Sequence, residues 1–262
     1  LGATTVIASD KTGTLTTGRV EARLFADERG QPSSDGAGLL EVAVLASEPD
    51  GSDPLDQAIL RRATEAGVDV ARLHALDLVS AFPFDARGRH VTQVWREDGT
   101  ERACSKGALE PMLDRTGATT EERAALEAAN GRFAGEGMRV LALATGAPAG
   151  ADGREAAERG LRIVGLIAFA DPVRPGVVEA LRECRAAGIR VLMLTGDHPL
   201  TAGAIAGELG IGGDEPRVMT GREMESLSAA DLAAAADTVS VFARVEAAQK
   251  YLSLYFKQEL AN

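Results

Sequence analysis

Aromatic side chains are scarce in this 262-residue chain, at 4% with a single Trp. A core of normal size therefore has to be built from Ala, Val, Leu and Ile. Cysteine is nearly absent. Cys104 and Cys184 are the only two, and no CxxC or other metal-ligand spacing involves them. They read as reduced structural thiols, not as a disulfide or zinc framework. The three histidines, His74, His90 and His198, show no ligand spacing either, and none is assigned a metal. No apolar run approaches the ~18 residues that a membrane-crossing helix needs. No charged-then-apolar leader opens the chain. The net charge of −11 has the wrong sign for a nucleic-acid-binding surface. Lysine is rare as well, with four (positions 11, 106, 250 and 257) against 24 arginines. In a chain that otherwise uses Arg, a Lys suggests a place where a compact ammonium is needed.

What is present begins with Thr4-Thr5-Val6-Ile7-Ala8-Ser9, a β-branched stretch, followed by Asp10-Lys11-Thr12-Gly13-Thr14-Leu15-Thr16. A strand that ends in an acid and breaks into a Gly/Thr loop puts the carboxylate at the carboxyl edge of a sheet. Ligands bind there in open α/β sheets. Loop N–H groups and hydroxyls can hold a phosphate while the Asp attacks it.

Helices are predicted over 54–66, stopped by Gly67, and from Thr119, where Thr119-Thr120-Glu121-Glu122 has the form of a capping box. Residues 91–95 and 139–144 have strand patterns. Residues 30–38 and 145–153 read as loops. From Arg162 the texture changes. Residues 163–169 form a continuous apolar run, as a buried parallel strand would. A helix at 176–187, a strand at 189–194, a helix at 201–209 and a strand at 239–245 follow. This alternation predicts a doubly wound α/β sheet. The opening strand joins it most simply, so residues 1–22 and 161–262 are expected to form one domain. Residues 23–160 would be an inserted α+β domain.

Further motifs sit at strand ends. Leu194-Thr195-Gly196-Asp197-His198 precedes a helix, and a hydroxyl, a Gly N–H and a helix N-terminus together cradle phosphate. Asp197 also reads as a plain N-cap, and the two roles are compatible. Asp171-Pro172-Val173-Arg174-Pro175 reads as a helix entry with Pro at its start. Val241-Phe242-Ala243-Arg244-Val245 is followed by Lys250, and a Lys there could neutralise transferring charge. The inserted domain carries Phe82-Pro83-Phe84-Asp85 with Arg89, Ser105-Lys106-Gly107-Ala108-Leu109-Glu110, Asp53-Pro54-Leu55-Asp56, and Arg139 in Gly137-Met138-Arg139-Val140. Phe84 could equally be a core side chain at a strand end. Asp56 could be a simple first-turn acid.

Taken in order over residues 1–250, these motifs resemble those of the P-type ATPases, ion pumps of the haloacid dehalogenase superfamily that form an aspartyl-phosphate. The resemblance implies a phosphorylation domain with an inserted nucleotide-binding domain, and ATP and Mg²⁺ as cofactors. It implies Asp10 as nucleophile, with Lys11, Thr12, Thr195, Gly196, Asp197 and Lys250 at the phosphoryl site and Mg²⁺ on Asp10 and the Thr12 carbonyl. Asp56, Phe84, Arg89, Lys106, Gly107, Arg139, Asp171 and Arg244 would hold the nucleotide, with Phe84 on the base. Related phosphatases have a second Asp two places after the nucleophile as general acid. Thr12 cannot protonate a leaving group at neutral pH, so the phosphoenzyme should persist.

The partners implied are the transmembrane and actuator domains of the same pump, at the cytoplasmic face of a membrane. This stretch itself is expected to be soluble, and to turn ATP over poorly or not at all. A start at Leu1, directly against a strand, reads as a piece of a longer protein. After Lys250 the family continues into a loop that supplies Mg²⁺ carboxylates. Residues 251–262, which hold both tyrosines of the chain, are expected not to be that continuation. The nucleotide motifs lean away from heavy-metal pumps. The alternatives are a soluble phosphatase of the same superfamily with a cap domain, and a product that only binds nucleotide.

Overall fold

The computed structural model describes residues 4–33, 36–48, 51–148, 153–213, 215–228, 231, 234–235 and 237–245. In chain order the elements are β1 (Val6–Asp10), a wide turn (Lys11–Leu15), β2 (Glu21–Asp27), α1 (Ala37–Leu45), α2 (Pro54–Glu65), α3 (Val70–His74), β3 (Asp77–Asp85), β4 (His90–Glu97), β5 (Thr100–Gly107), α4 (Leu109–Thr116), α5 (Thr120–Gly135), β6 (Arg139–Gly146), α6 (Gly153–Glu158), β7 (Arg162–Ala170), α7 (Val177–Ala186), β8 (Arg190–Leu194), α8 (Pro199–Glu208), β9 (Val218–Thr220), α9 (Gly221–Glu225) and β10 (Val241–Ala243). They form two compact units. One takes its described residues from Leu1–Arg19, Gly135–Gly137 and Asp171–Asn262, the other from Val20–Ala134 and Met138–Ala170.

The first unit is built on a parallel sheet in the order β1-β8-β10-β9. Both faces are covered. Leu181 of α7 and Ala202 and Ala206 of α8 pack with Met193, Val241 and Ala243 on one side. Met224 of α9 packs with Leu192, Leu194 and Phe242 on the other. Two-sided cover is what makes β8 and β10 read as unbroken apolar runs, whereas β1 at the edge of the sheet leaves Ile7 exposed.

The second unit is an antiparallel sheet in the order β2-β7-β6-β5-β4-β3. Its helices start where the chemistry of the chain places them. Asp53 caps α2 by accepting from Leu55 N–H at 2.7 Å, with Pro54 in the first turn. Thr119 and Glu122 exchange hydrogen bonds at the start of α5. The chain stretch 91–95 lies in β4 and 139–144 in β6, as the patterns predict.

One strand corrects the sequence reading. β7 was expected to join the parallel sheet, but it pairs antiparallel with β2 and with β6. Its apolar run has a different cause. Ile167 and Phe169 face a core with Leu40 and Leu45 of α1 and Ile59 of α2. Leu166 and Ala168 face a second core with Met112 and Leu113 of α4 and Leu126 of α5. Both sides of an antiparallel sheet are buried here, so alternation disappears. β2, for which no strand was expected, forms the edge beside it.

Leu166 and Ile167 are each fully buried, on opposite faces. Leu166→Ala and Ile167→Ala should each cost about 2–5 kcal/mol in urea unfolding. A strand with one wet face would give one costly and one near-neutral substitution.

Candidate functional site

β1 and β8 run in register, with Asp10 opposite Leu194. Both strands end at the same level, so the loops that leave them emerge side by side at the carboxyl edge of the sheet. Asp10 is exposed at that edge. The chain then closes one wide turn, in which Thr16 N–H donates to the Lys11 carbonyl at 3.0 Å and Gly13 takes φ +77°. Glycine adopts that conformation without strain. Lys11 folds inward and is buried, with its Nζ 2.7 Å from Asp197 Oδ2. This ion pair ties the two loops together. Thr12 and Thr14 face solvent.

Thr195 is buried, and its hydroxyl accepts from Asp197 N–H at 3.1 Å, an arrangement that leaves the hydroxyl proton able to point to a ligand. Gly196 is exposed, with open space where a Cβ would stand. Arg244 follows β10 at φ +50°, and its N–H donates to the Asp197 carbonyl at 3.1 Å. His198, not Asp197, caps α8, with Leu200 N–H donating to His198 Nδ1 at 3.3 Å. Asp197 is not the cap because its carboxylate faces Lys11. Lys250 and residues 251–262 lie outside the described residues.

Asp171 sits in this unit too. Its carboxylate accepts from Thr16 Oγ1 at 2.6 Å, Thr17 Oγ1 at 3.2 Å and Gly18 N–H at 2.9 Å. Arg174 donates from Nη2 to the Gly13 carbonyl at 2.7 Å. The segment after β7 thus clamps the loop after β1. Nothing in the order of residues signals that pairing, which spans 155 positions.

The second unit holds a cavity of about 690 Å³. Asp56 enters from the first turn of α2, Phe84 from the end of β3, Arg89 from the turn before β4, Lys106 and Gly107 from the end of β5, and Arg139 from β6. Six expected side chains or backbone positions thus line one space. Lys106 is buried, donates to Ser47 Oγ at 2.7 Å and pairs with Asp56. Burial pushes its ammonium below the ordinary lysine range, and the neighbouring Asp56 carboxylate opposes that shift. Asp56 also accepts from Glu48 N–H at 3.2 Å. Ser47 was not anticipated, since a lone Ser after a helix carries no signal. Phe84 is 65% exposed, so it is a ring held at the surface and not a core side chain. An open aromatic face beside Arg89, Lys106 and Arg139 suits a flat ring that carries an anion. Gly107 is needed sterically. A Cβ there would collide with His90 Cβ and lie 2.6 Å from the Arg89 carbonyl oxygen.

Residues 4–237 match the haloacid dehalogenase-like hydrolases. The chain is similar to the probable cation-transporting ATPase F of Mycobacterium tuberculosis, 34% identical over 95% of this chain and 33% of that protein. It is similar to calcium-transporting ATPase 1 of Bacillus cereus, 31% identical over 95% of this chain and 31% of that protein. It is also similar to the sodium/potassium exporting P-type ATPase cta3 of Schizosaccharomyces pombe, 39% identical over 57% of this chain and 16% of that protein. The chain thus spans about a third of the length of the first two relatives.

Two substitutions test the geometry. Asp171→Ala removes an acceptor of three hydrogen bonds, and should cost about 1–3 kcal/mol in thermal unfolding while speeding amide exchange at Gly18. Gly107→Ala forces β4 and β5 apart, and should cost about 1–3 kcal/mol in the same measurement.

Proposed function

Because the chain belongs to the haloacid dehalogenase-like hydrolases, and its relatives over 95% of its length are P-type cation-transporting ATPases, we propose that it is the ATP-binding and phosphoryl-accepting part of such a pump. The observation that carries this reading is the register of β1 with β8. It sets a carboxylate at a strand end beside a loop of Thr195, Gly196 and Asp197.

In this reading the cavity of the second unit takes the nucleotide, with Phe84 against the base and Lys106, Arg89 and Arg139 supplying positive charge. An Oδ of Asp10 attacks the γ-phosphorus in line. The bond from the γ-phosphorus to the bridging oxygen breaks, ADP leaves with that electron pair, and an acyl phosphate remains. Thr195 Oγ1, Gly196 N–H and Lys250 stabilise the charge that builds on the equatorial oxygens. Lys11 keeps Asp197 neutralised, which stops a second carboxylate from repelling the incoming phosphate.

Among the described residues no group of three His, Cys, Asp or Glu could hold a metal ion alone. An exposed Asp10, with the Thr12 carbonyl two residues on as a second oxygen donor in this reading, suits Mg²⁺, which commonly takes one or two carboxylates with phosphate oxygens and water. That ion would neutralise charge on the transferring phosphoryl group. Thr12 supplies no general acid, so the acyl phosphate outlives the transfer step. This supports a pump over a phosphatase with a cap domain.

Among the described residues no helix is long and apolar enough to cross a membrane. Ion translocation, the cytoplasmic face of a membrane, and contacts with membrane and actuator domains belong in this reading to the longer protein.

Incubation with γ-labelled ATP and Mg²⁺ should give an acid-stable, hydroxylamine-labile label that Asp10→Asn abolishes. Steady turnover should stay below ~1 per second. Label that survives Asp10→Asn overturns the assignment of the nucleophile. Turnover of p-nitrophenyl phosphate at ordinary enzyme rates would favour the phosphatase reading.

A further inference from the structure

We propose that Arg154, which does not line the cavity, is a positioning residue for it. It holds the turn from Phe82 to Arg89 that carries Phe84 and Arg89 to the cavity wall. The consequence for nucleotide rests on the reading above, while the positioning itself does not.

Strand pairing skips Pro83 and Phe84, which lie between Phe82 opposite Thr92 and Asp85 opposite His90. Phe84 is exposed, and Arg89 adopts φ +48°, a conformation uncommon for a residue with a Cβ. The turn is internally knotted through Asp85. The Asp85 carboxylate accepts from Arg87 N–H at 3.0 Å and Gly88 N–H at 2.9 Å, and its carbonyl accepts from Arg89 N–H at 2.6 Å. Those bonds shape the turn, and its far end is tied to α4, where the Arg89 carbonyl accepts from Ala108 N–H at 3.0 Å and Arg89 Nη2 donates to Glu110 Oε2 at 3.1 Å; they leave the Phe84 end to be fastened to the unit.

Arg154, on α6, supplies the fastening. Its Nη2 donates to the Phe82 carbonyl at 3.1 Å and the Pro83 carbonyl at 2.6 Å. Its guanidinium carbon lies 5.9 Å from the centroid of the Phe82 ring, and Nη1 lies 3.8 Å from Asp85 Oδ2. One planar cation thus meets the carbonyls of the two residues before Phe84, the ring of the first of them and the acid after Phe84.

Behind the guanidinium stands the Glu158 carboxylate, one turn along α6, with Arg154 Nε 3.2 Å from Glu158 Oε1, an ion pair without hydrogen-bond geometry. Glu158 is buried. His90 Nε2 lies 2.9 Å from Oε1, Thr92 Oγ1 donates to Oε1 at 2.8 Å, and Arg115 Nη1 lies 2.8 Å from Oε2. Burial drives its carboxyl upward, but the bonds from His90 and Thr92, with the His90 and Arg115 charges, hold it below the usual glutamate range. An ionised, immobile carboxylate therefore anchors a cation that reaches past it to the turn. His90 and Thr92 are the first residues of β4, so the same anchor fixes the far side of the turn.

Arg154→Gln removes the fork and keeps Glu158 on its other partners. In the ligand-free protein, amide exchange at Arg87, Gly88 and Arg89 should quicken about tenfold, and that of β5 and β6 should not change. ATP affinity should fall about tenfold. The turn acts through Phe84, so in a Phe84→Ala background the same substitution should cost less than about twofold. Arg154→Lys keeps the charge but not the fork, and should behave like Arg154→Gln.

Unchanged exchange in the turn overturns the proposal. So does an undiminished loss of affinity in the Phe84→Ala background, or full rescue by Arg154→Lys. If exchange responds as expected but the wild-type chain binds no ATP, the positioning stands and the nucleotide reading of the cavity falls.

Discussion

The parallel pairing of β1 with β8 is the constraint on which the whole carboxyl edge of the first unit depends. Hydrogen bonds between neighbouring strands lock Asp10 level with Leu194, and a slip by one residue would turn every side chain to the other face. Everything at the carboxyl edge follows from that level. The wide turn after Asp10, the buried Lys11 and the loop at Thr195 can meet only because their strands stop together. The 2.7 Å contact between Lys11 and Asp197 is a result of this register. A buried ion pair adds little stability by itself, but it fixes the relative placement of two loops.

The antiparallel unit solves a different problem. It buries charge in order to shape an opening. Lys106 with Asp56, and Glu158, are buried ionic groups in a largely apolar interior. Such groups are costly to desolvate and worse to leave without a partner. Each is therefore met by several neighbours, Ser47 and Thr92 among them.

Sequence periodicity reported burial faithfully and direction poorly. The run at 163–169 is apolar because helices cover both faces of its sheet. A parallel strand would read the same way, so pattern alone could not tell them apart. Asp10, Thr195 and Gly196 were legible because a carboxylate, hydroxyls and glycines crowd at strand ends, where function concentrates. That Asp56, Phe84, Lys106 and Arg139 face one cavity, across 83 positions, came from the family resemblance and not from spacing. Arg154 and Glu158 carried no signal. An Arg in a chain of 24 and a Glu at the end of a short helix look like solvated charges until the fold sets them against Phe82 and His90. Asp171, expected beside the nucleotide, shows the converse. Its motif was visible, and its partners Thr16, Thr17 and Gly18 were not.

The first and last strands of the second unit are β2 and β7, paired with Glu21 opposite Ala170. The described stretches of that unit, within 20–134 and 138–170, thus begin and end on adjacent strands. Ends that lie side by side let a compact unit be joined to a longer chain without strain on either segment. In the reading proposed above, a reactive carboxylate on one sheet and a nucleotide cavity on another can therefore change independently, each held by its own strands and its own core.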